Sequence, residues 1–157
     1  QVSKPVNKVG KDEQDIMDDM LDTMYAANGI GLAAIQIGIA KRIIVMDISK
    51  DDKKKEPRFF VNPKIKVKDS FKSTYEEGCL SVPDQFAEIE RPSKCDVEYL
   101  DYNGEKQLLK ANGLLATCIQ HEMDHLEGIL FIDYLSKLKR SMIVKKLSKL
   151  KSNTAVL

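Results

Sequence analysis

One nine-residue stretch constrains this chain more than any other. Gln120-His121-Glu122-Met123-Asp124-His125-Leu126-Glu127-Gly128 contains both of its histidines. Written on a helix, His121 and His125 lie one turn apart on the same face, a spacing at which two imidazoles can bind one metal ion with little strain. Glu122 then sits beside the first ligand, able to reach a water on the metal without being a ligand itself. The flanking residues favour the helix. Asn112 stands at an N-cap position, Leu114, Leu115, Cys118, Ile119 and Met123 repeat at helical spacing, and Gly128 supplies a stop. The plain alternative is a pair of partly buried histidines on an ordinary helix with a solvated glutamate. A working site needs more from the rest of the chain: a third ligand, an oxyanion donor and a substrate groove.

The 157 residues suit a single domain with a real core, so residues 1–157 are expected to form one unit. A net charge of +1 gives no global attraction to nucleic acid or to a membrane, and no apolar run approaches the ~20 residues of a membrane span. No specific DNA or membrane partner is therefore expected. Residues 1–11 are polar and lack the apolar region of a secretion signal. The odd set Cys79, Cys95 and Cys118 reads as reduced thiols, which places the chain in the cytoplasm. Because the chain starts on Gln1, its first segment is read as trimmed.

In chain order, Asp12 opens an amphipathic helix whose Ile16, Met17, Met20, Leu21, Met24 and Tyr25 share a face, and Asn28-Gly29 ends it. The methionines read as core filler. Gly29-Ile30-Gly31-Leu32-Ala33-Ala34-Ile35-Gln36 follows, small enough for close approach of another backbone, with one polar side chain, Gln36, able to donate two hydrogen bonds. Arg42 to Ile48 reads as a buried strand. Two strands follow at 59–61 and 64–68, with Asn62-Pro63 breaking between them. Ser73 to Val82 carries Tyr75-Glu76-Glu77-Gly78-Cys79-Leu80-Ser81, and Pro83-Asp84 reads as a turn. Strands over 87–90, 95–100 and 106–109 come next, the last two joined by a hairpin at Tyr102-Asn103-Gly104. A final helix runs from about Ser136. The order implies an α+β fold, with antiparallel β-sheets packed around the metal-binding helix.

A catalytic metal with three protein ligands keeps a fourth position open. Cys79, flanked by Gly78 and offering a soft thiolate, is the leading third ligand. Cys118, three residues before His121, is the rival, and reads better as a small apolar residue lining the pocket. Cys95 reads as structural. Three segments now stand together: Gly29 to Gln36, Glu77-Gly78-Cys79-Leu80-Ser81, and Gln120 to Leu126. They resemble, in order and separation, the three signature motifs of peptide deformylases, and the resemblance extends over nearly the whole chain. The chain departs at Ile35, where many members carry Pro or Thr, and before Gln1, where members have a further short segment that includes an edge strand.

The resemblance implies that Cys79, His121 and His125 bind one divalent metal, Fe(II) in the cell, with zinc, nickel or cobalt accepted by the same donors. Glu122 would take a proton from the attacking water and pass it to the leaving amine. The Gln36 amide, the Leu80 backbone N–H and the metal would stabilise the oxyanion. The substrate would be an N-formylmethionyl nascent peptide, and the products formate and a free N-terminal Met. The peptide would lie extended along Ile30, Gly31, Glu77 and Gly78, with Ile30, Tyr75, Leu114 and Cys118 walling the Met side chain. The runner-up is an HExxH-type metallopeptidase, whose third ligand is normally a downstream His or Glu. A structural metal module is the non-enzymatic alternative. Finally, Lys137, Lys139, Arg140, Lys145, Lys146, Lys149 and Lys151 make the last helix basic, with no acid after Asp133. That suits docking on ribosomal RNA phosphates near the exit tunnel.

Overall fold

The run Ile43-Ile44-Val45-Met46 is apolar at every position because its strand is covered on both faces. In a computed structural model of the chain all four side chains are fully buried. Successive strand residues point to opposite faces. Ile44 and Met46 enter one core cluster with Phe60, Val97, Ala116 and Ile119, while Ile43 and Val45 enter a second with Met17, Met20, Met24 and Val61. The structure describes residues 2–49, 54–68, 72–79 and 82–128, and of these 67, 68, 72–79 and 82–90 by backbone alone.

The element order is α1 (Lys11–Ala26), β1 (Gly31–Ala33), a 3-10 helix (Ala34–Ile37), β2 (Ile43–Met46), β3 (Arg58–Lys68), β4 (Lys72–Cys79), β5 (Val82–Pro92), β6 (Lys94–Leu100), β7 (Lys106–Asn112) and α2 (Gly113–Leu126). A five-stranded sheet has the order β1-β2-β3-β6-β7, and β4 pairs with β5 in a separate two-stranded sheet. All these pairings are antiparallel. This is the expected α+β arrangement. α1 lies against β1 and β2, and α2 against β1, β6, β7 and both strands of the small sheet.

α1 forms because Met17, Met20 and Met24 recur every three to four residues. All three are fully buried, each stabilising by about 1.5–3 kcal/mol. Glu13 accepts the Gly10 N–H at 3.0 Å and closes the first turn, and Asn28, at φ 56°, takes the chain out of the last. The N-terminal stretch braces the far end of α2. Ser3 N–H donates to Leu126 O at 2.7 Å, and Arg42 meets Glu127 at 2.7 Å.

Two expectations need correction. Asn62-Pro63 does not separate two strands. β3 is continuous, and the pair sits in a bulge where the pairing with β6 shifts between Val61 and Lys64. Asn62 adopts φ 50° there, and its side chain both accepts from Val6 N–H and donates to Val6 O at 2.7 Å. Pro83-Asp84 is not a turn either. It lies within β5, where the pairing jumps from Gly78–Phe86 to Cys79–Val82. Proline has no N–H to continue a ladder, and an irregular register removes the need for one. Asn112 occupies the N-cap of α2 but makes no side-chain cap bond. The helix expected from Ser136 lies outside the described residues.

Candidate metal centre and active site

α2 is held on the sheet through Ala116, Ile119 and Leu126. Its neighbouring face carries His121, Glu122 and His125, none more than 7% exposed. The two imidazoles meet edge to face, with their Nε2 atoms 3.2 Å apart. Glu122 Oε1 is 3.8 Å from His121 Nε2, and one donor atom from each of the three residues falls within 4.8 Å of the others. Two nitrogens bound at ~2.0–2.1 Å to a tetrahedral ion would stand ~3.3 Å apart, so this separation fits a shared metal. A metal also requires neutral imidazole. Burial, then the charges of His121 and Arg91, push His125 down to about 3, so its ring is neutral at physiological pH.

Gly31 opens β1 directly against this cluster. A Cβ at Gly31 would lie 3.0 Å from Cys118 Sγ and 3.1 Å from both Cγ and Oε1 of Glu122. The edge strand thus approaches the carboxylate as closely as a backbone without a side chain allows. The chain then enters the 3-10 helix, which packs on α2 and positions Gln36. The Ala33 N–H donates to Gln36 Oε1 at 2.8 Å. A backbone N–H can only donate, so the atom facing it is the oxygen, and the amide nitrogen with its two donors is the opposite end.

The small sheet is pinned to the same helix. Arg91, near the end of β5 and 4% exposed, meets Asp124 at 2.8 Å, and Gln120 Nε2 donates to Pro92 O at 2.9 Å. Asp124 directly precedes His125, so this contact ties β5 to the metal-side turn of α2. β4, which pairs with β5, ends on Cys79.

The structure therefore brings His121, Glu122, His125, Gly31 and Cys118 together, with the element carrying Gln36 alongside. Leu114 lies half-buried in the first turn of α2, and Ile30 is 45% exposed just before β1. Gly78 and Cys79 are placed by backbone, Gly78 opposite Phe86. The side chains of Tyr75, Glu77 and Cys79, and Leu80 entirely, lie outside what is described. Arg91 and Asp124, whose contact ties β5 to α2, were not given roles from the sequence, and neither was Asp47, a buried acid just past β2. The available signal for Asp47 is an acid placed directly after a buried strand.

The comparisons with known proteins agree with this geometry. The family model described as polypeptide deformylase matches residues 1–141. A peptide deformylase of Pelagibacter ubique is 78% identical over 156 residues, covering 99% of this chain and 91% of its own. One from Rhizobium meliloti is 55% identical over 95% of this chain and 86% of its own. Among solved structures, the peptide deformylase of Ehrlichia chaffeensis superimposes with a TM-score of 0.92 at 42% identity, covering 96% of this chain and 89% of that one. The complex of the enzyme from that organism with actinonin gives 0.89 at 45% identity, covering 98% and 91%. The chain belongs to the polypeptide deformylase family, enzymes that use a metal to hydrolyse the formyl group from the N-terminus of a polypeptide.

Proposed function

We propose that the chain deformylates N-formylmethionyl nascent peptides at a centre where Cys79, His121 and His125 hold one divalent ion. The observation that carries this reading is the convergence of two buried Nε2 atoms at 3.2 Å, with Glu122 beside them, in a chain of this family. When bound, the ion supplies a Lewis acid that brings the pKa of water toward ~7 and holds negative charge on the formyl oxygen. Glu122 takes the proton of the attacking water and returns it to the leaving amine. Gln36 donates to the oxyanion through its amide nitrogen, since its oxygen is engaged by Ala33. The Leu80 backbone N–H is the second donor in this reading. The peptide runs extended beside Ile30, Gly31, Glu77 and Gly78 as an added strand, and Tyr75, Leu114 and Cys118 complete the apolar pocket for Met.

The soft thiolate with two imidazoles suits Fe(II) in the cell and also accepts zinc, nickel or cobalt. Ferrous protein should then lose activity in air faster than nickel-loaded protein. The whole of 1–157 is read as one catalytic domain. The cytoplasm is its proposed location, and no helix among the described residues is long and apolar enough to cross a membrane. The basic segment from Lys137 to Lys151, outside the described residues, is the proposed ribosome contact. Replacing Lys145, Lys146 and Lys149 by Glu should abolish cosedimentation with ribosomes, and retained cosedimentation would remove that contact.

The roles of the site residues are tested by metal content and turnover measured together. Cys79→Ala should lose the ion, Cys118→Ser should keep it, and Glu122→Gln should keep it while turnover falls by ~10²–10⁴. Stoichiometric metal in Cys79→Ala, or near-normal turnover in Glu122→Gln at neutral pH, would overturn the assignments.

A further inference from the structure

Among the described residues, one buried carboxylate is not used by the chemistry above. Asp47 follows the last residue of β2 and is only 4% exposed. Its Oδ1 accepts the Ser49 N–H at 2.9 Å. Its Oδ2 accepts the Tyr25 hydroxyl at 2.6 Å and the Glu56 N–H at 3.0 Å. Burial pushes its carboxyl up, but these donors outweigh burial and hold it below the ordinary carboxylate value. Burial, then the hydrogen bond and charge of Asp47, raise Tyr25 to about 12, which keeps the phenol protonated and donating. Lys55 closes the group from the other side, with Nζ 4.3 Å from the centre of the Tyr25 ring. One carboxylate thus joins the end of α1, the end of β2 and the segment leading into β3.

What this group holds is the stretch that enters the site. The Asp47 N–H donates to Ile30 O at 2.9 Å, extending by one step the β1–β2 ladder in which Gly31 faces Met46. The chain reaches Ile30 from α1 through Asn28 in the left-handed region and a Gly29 N–H bond to Met24 O. Tyr25 lies in the last turn of that same helix. The Tyr25–Asp47 bond therefore links the helix end from which the chain approaches Ile30 to the residue whose N–H holds the Ile30 carbonyl. The Ile30 side chain itself stays 45% exposed, an apolar surface presented rather than packed away.

We propose that Asp47 and Tyr25 are positioning residues that set the location of Ile30 and, through it, the discrimination between first-residue side chains of the substrate. The inference rests on the proposed role of Ile30 as a wall of the Met pocket. Neither residue belongs to the His121–Glu122–His125 cluster, so the effect belongs to recognition rather than to the chemical step.

The test compares kcat/KM for formyl-Met-Ala-Ser and formyl-Ala-Ala-Ser in the metal-loaded enzyme, wild type against Ile30→Ala, Asp47→Asn and Tyr25→Phe. Within each preparation the ratio of the two values cancels the amount of active enzyme, so simple loss of folded protein does not move it. A misplaced apolar contact in a substrate pocket is worth ~10-fold in selectivity. Ile30→Ala and Asp47→Asn should each lower the Met preference by about that factor, and Tyr25→Phe, which removes one donor, by roughly threefold. If Asp47→Asn does not fold, Tyr25→Phe carries the test. A lowered ratio in either folded variant, together with Ile30→Ala, supports the inference. Wild-type ratios in the folded Asp47 and Tyr25 variants beside a lowered ratio in Ile30→Ala overturn it while leaving Ile30 in the pocket. A wild-type ratio in Ile30→Ala removes Ile30 from the pocket, and the inference with it.

Discussion

Gly31 is where single atoms matter most. Its Cα lies so close to Cys118 and Glu122 that one added methyl would meet three atoms at 3.0–3.1 Å. Cys118 belongs to the core cluster and Glu122 is only 4% exposed, so one of these two buried groups must shift. Overpacking of this kind costs about 1–3 kcal/mol, and displacing the proposed base Glu122 would cost far more in rate than in stability. Gly31→Ala should therefore stay folded, with a melting temperature within several degrees of wild type, while turnover drops by ~10²-fold. A variant with wild-type turnover would show that Gly31 does not set the carboxylate. This contact was not legible in the sequence. His121, Glu122 and His125 could be read together because they are one helical turn apart, and that turn fixes their geometry locally. The meeting of Gly31 with Cys118 and Glu122 depends on how β1 packs across α2. The sequence offers only a permissive sign of it, a glycine among small residues. For Gln36 the orientation was not legible, since it follows from the Ala33 N–H taking the oxygen.

Among the elements, those with an unbroken period were readable. The three buried methionines of α1, the wholly buried run of β2, the β6–β7 hairpin and α2 all follow from spacing. β3 and β5 were misread for one reason. Each contains a proline that a regular ladder excludes, and each accommodates it by a register shift, which needs a partner strand to become visible. The β3 bulge gives a quantitative check. Asn62 contributes two side-chain bonds to the Val6 backbone, at about 0.5–1.5 kcal/mol each, and tolerates its positive φ. Alanine would lose both bonds and add ~1–2 kcal/mol of left-handed strain, whereas glycine would lose the bonds alone. In urea unfolding, Asn62→Ala should be destabilised by about 2–5 kcal/mol and Asn62→Gly by about 1–2 kcal/mol less. Equal losses would mean that the positive φ carries no strain at this position. The same bulge anchors the N-terminal stretch that braces Leu126, so the alanine variant should also hold metal less tightly.

For the molecule as a whole, acid sensitivity has two separate sources. His125 is pushed from 6.5 down to about 3, chiefly by burial. As pH falls through this window the unfolded imidazole takes a proton that the folded one refuses, so metal-free protein loses stability from pH 6.5 downward. Asp47 is lowered from 3.8, so its contribution is complete above that value and is lost as pH falls through its folded pKa. Urea midpoints of metal-stripped protein should decline continuously below pH 6.5, and Asp47→Asn should flatten only the part below 3.8. Midpoints that stay level between pH 6.5 and 4 would contradict the account of His125. Among the described residues, the helices, the antiparallel sheets and the buried histidine pair serve one purpose in this account, hydrolysis of a formyl amide, with the metal proposed to lie between α2 and the small sheet. The most direct measurement is product analysis with formyl-Met-Ala and protein loaded with Fe(II) under anaerobic conditions. The prediction is formate and intact Met-Ala in equal amounts, with neither formed by metal-stripped protein. Absence of formate, or cleavage of the Met–Ala bond in its place, would contradict it.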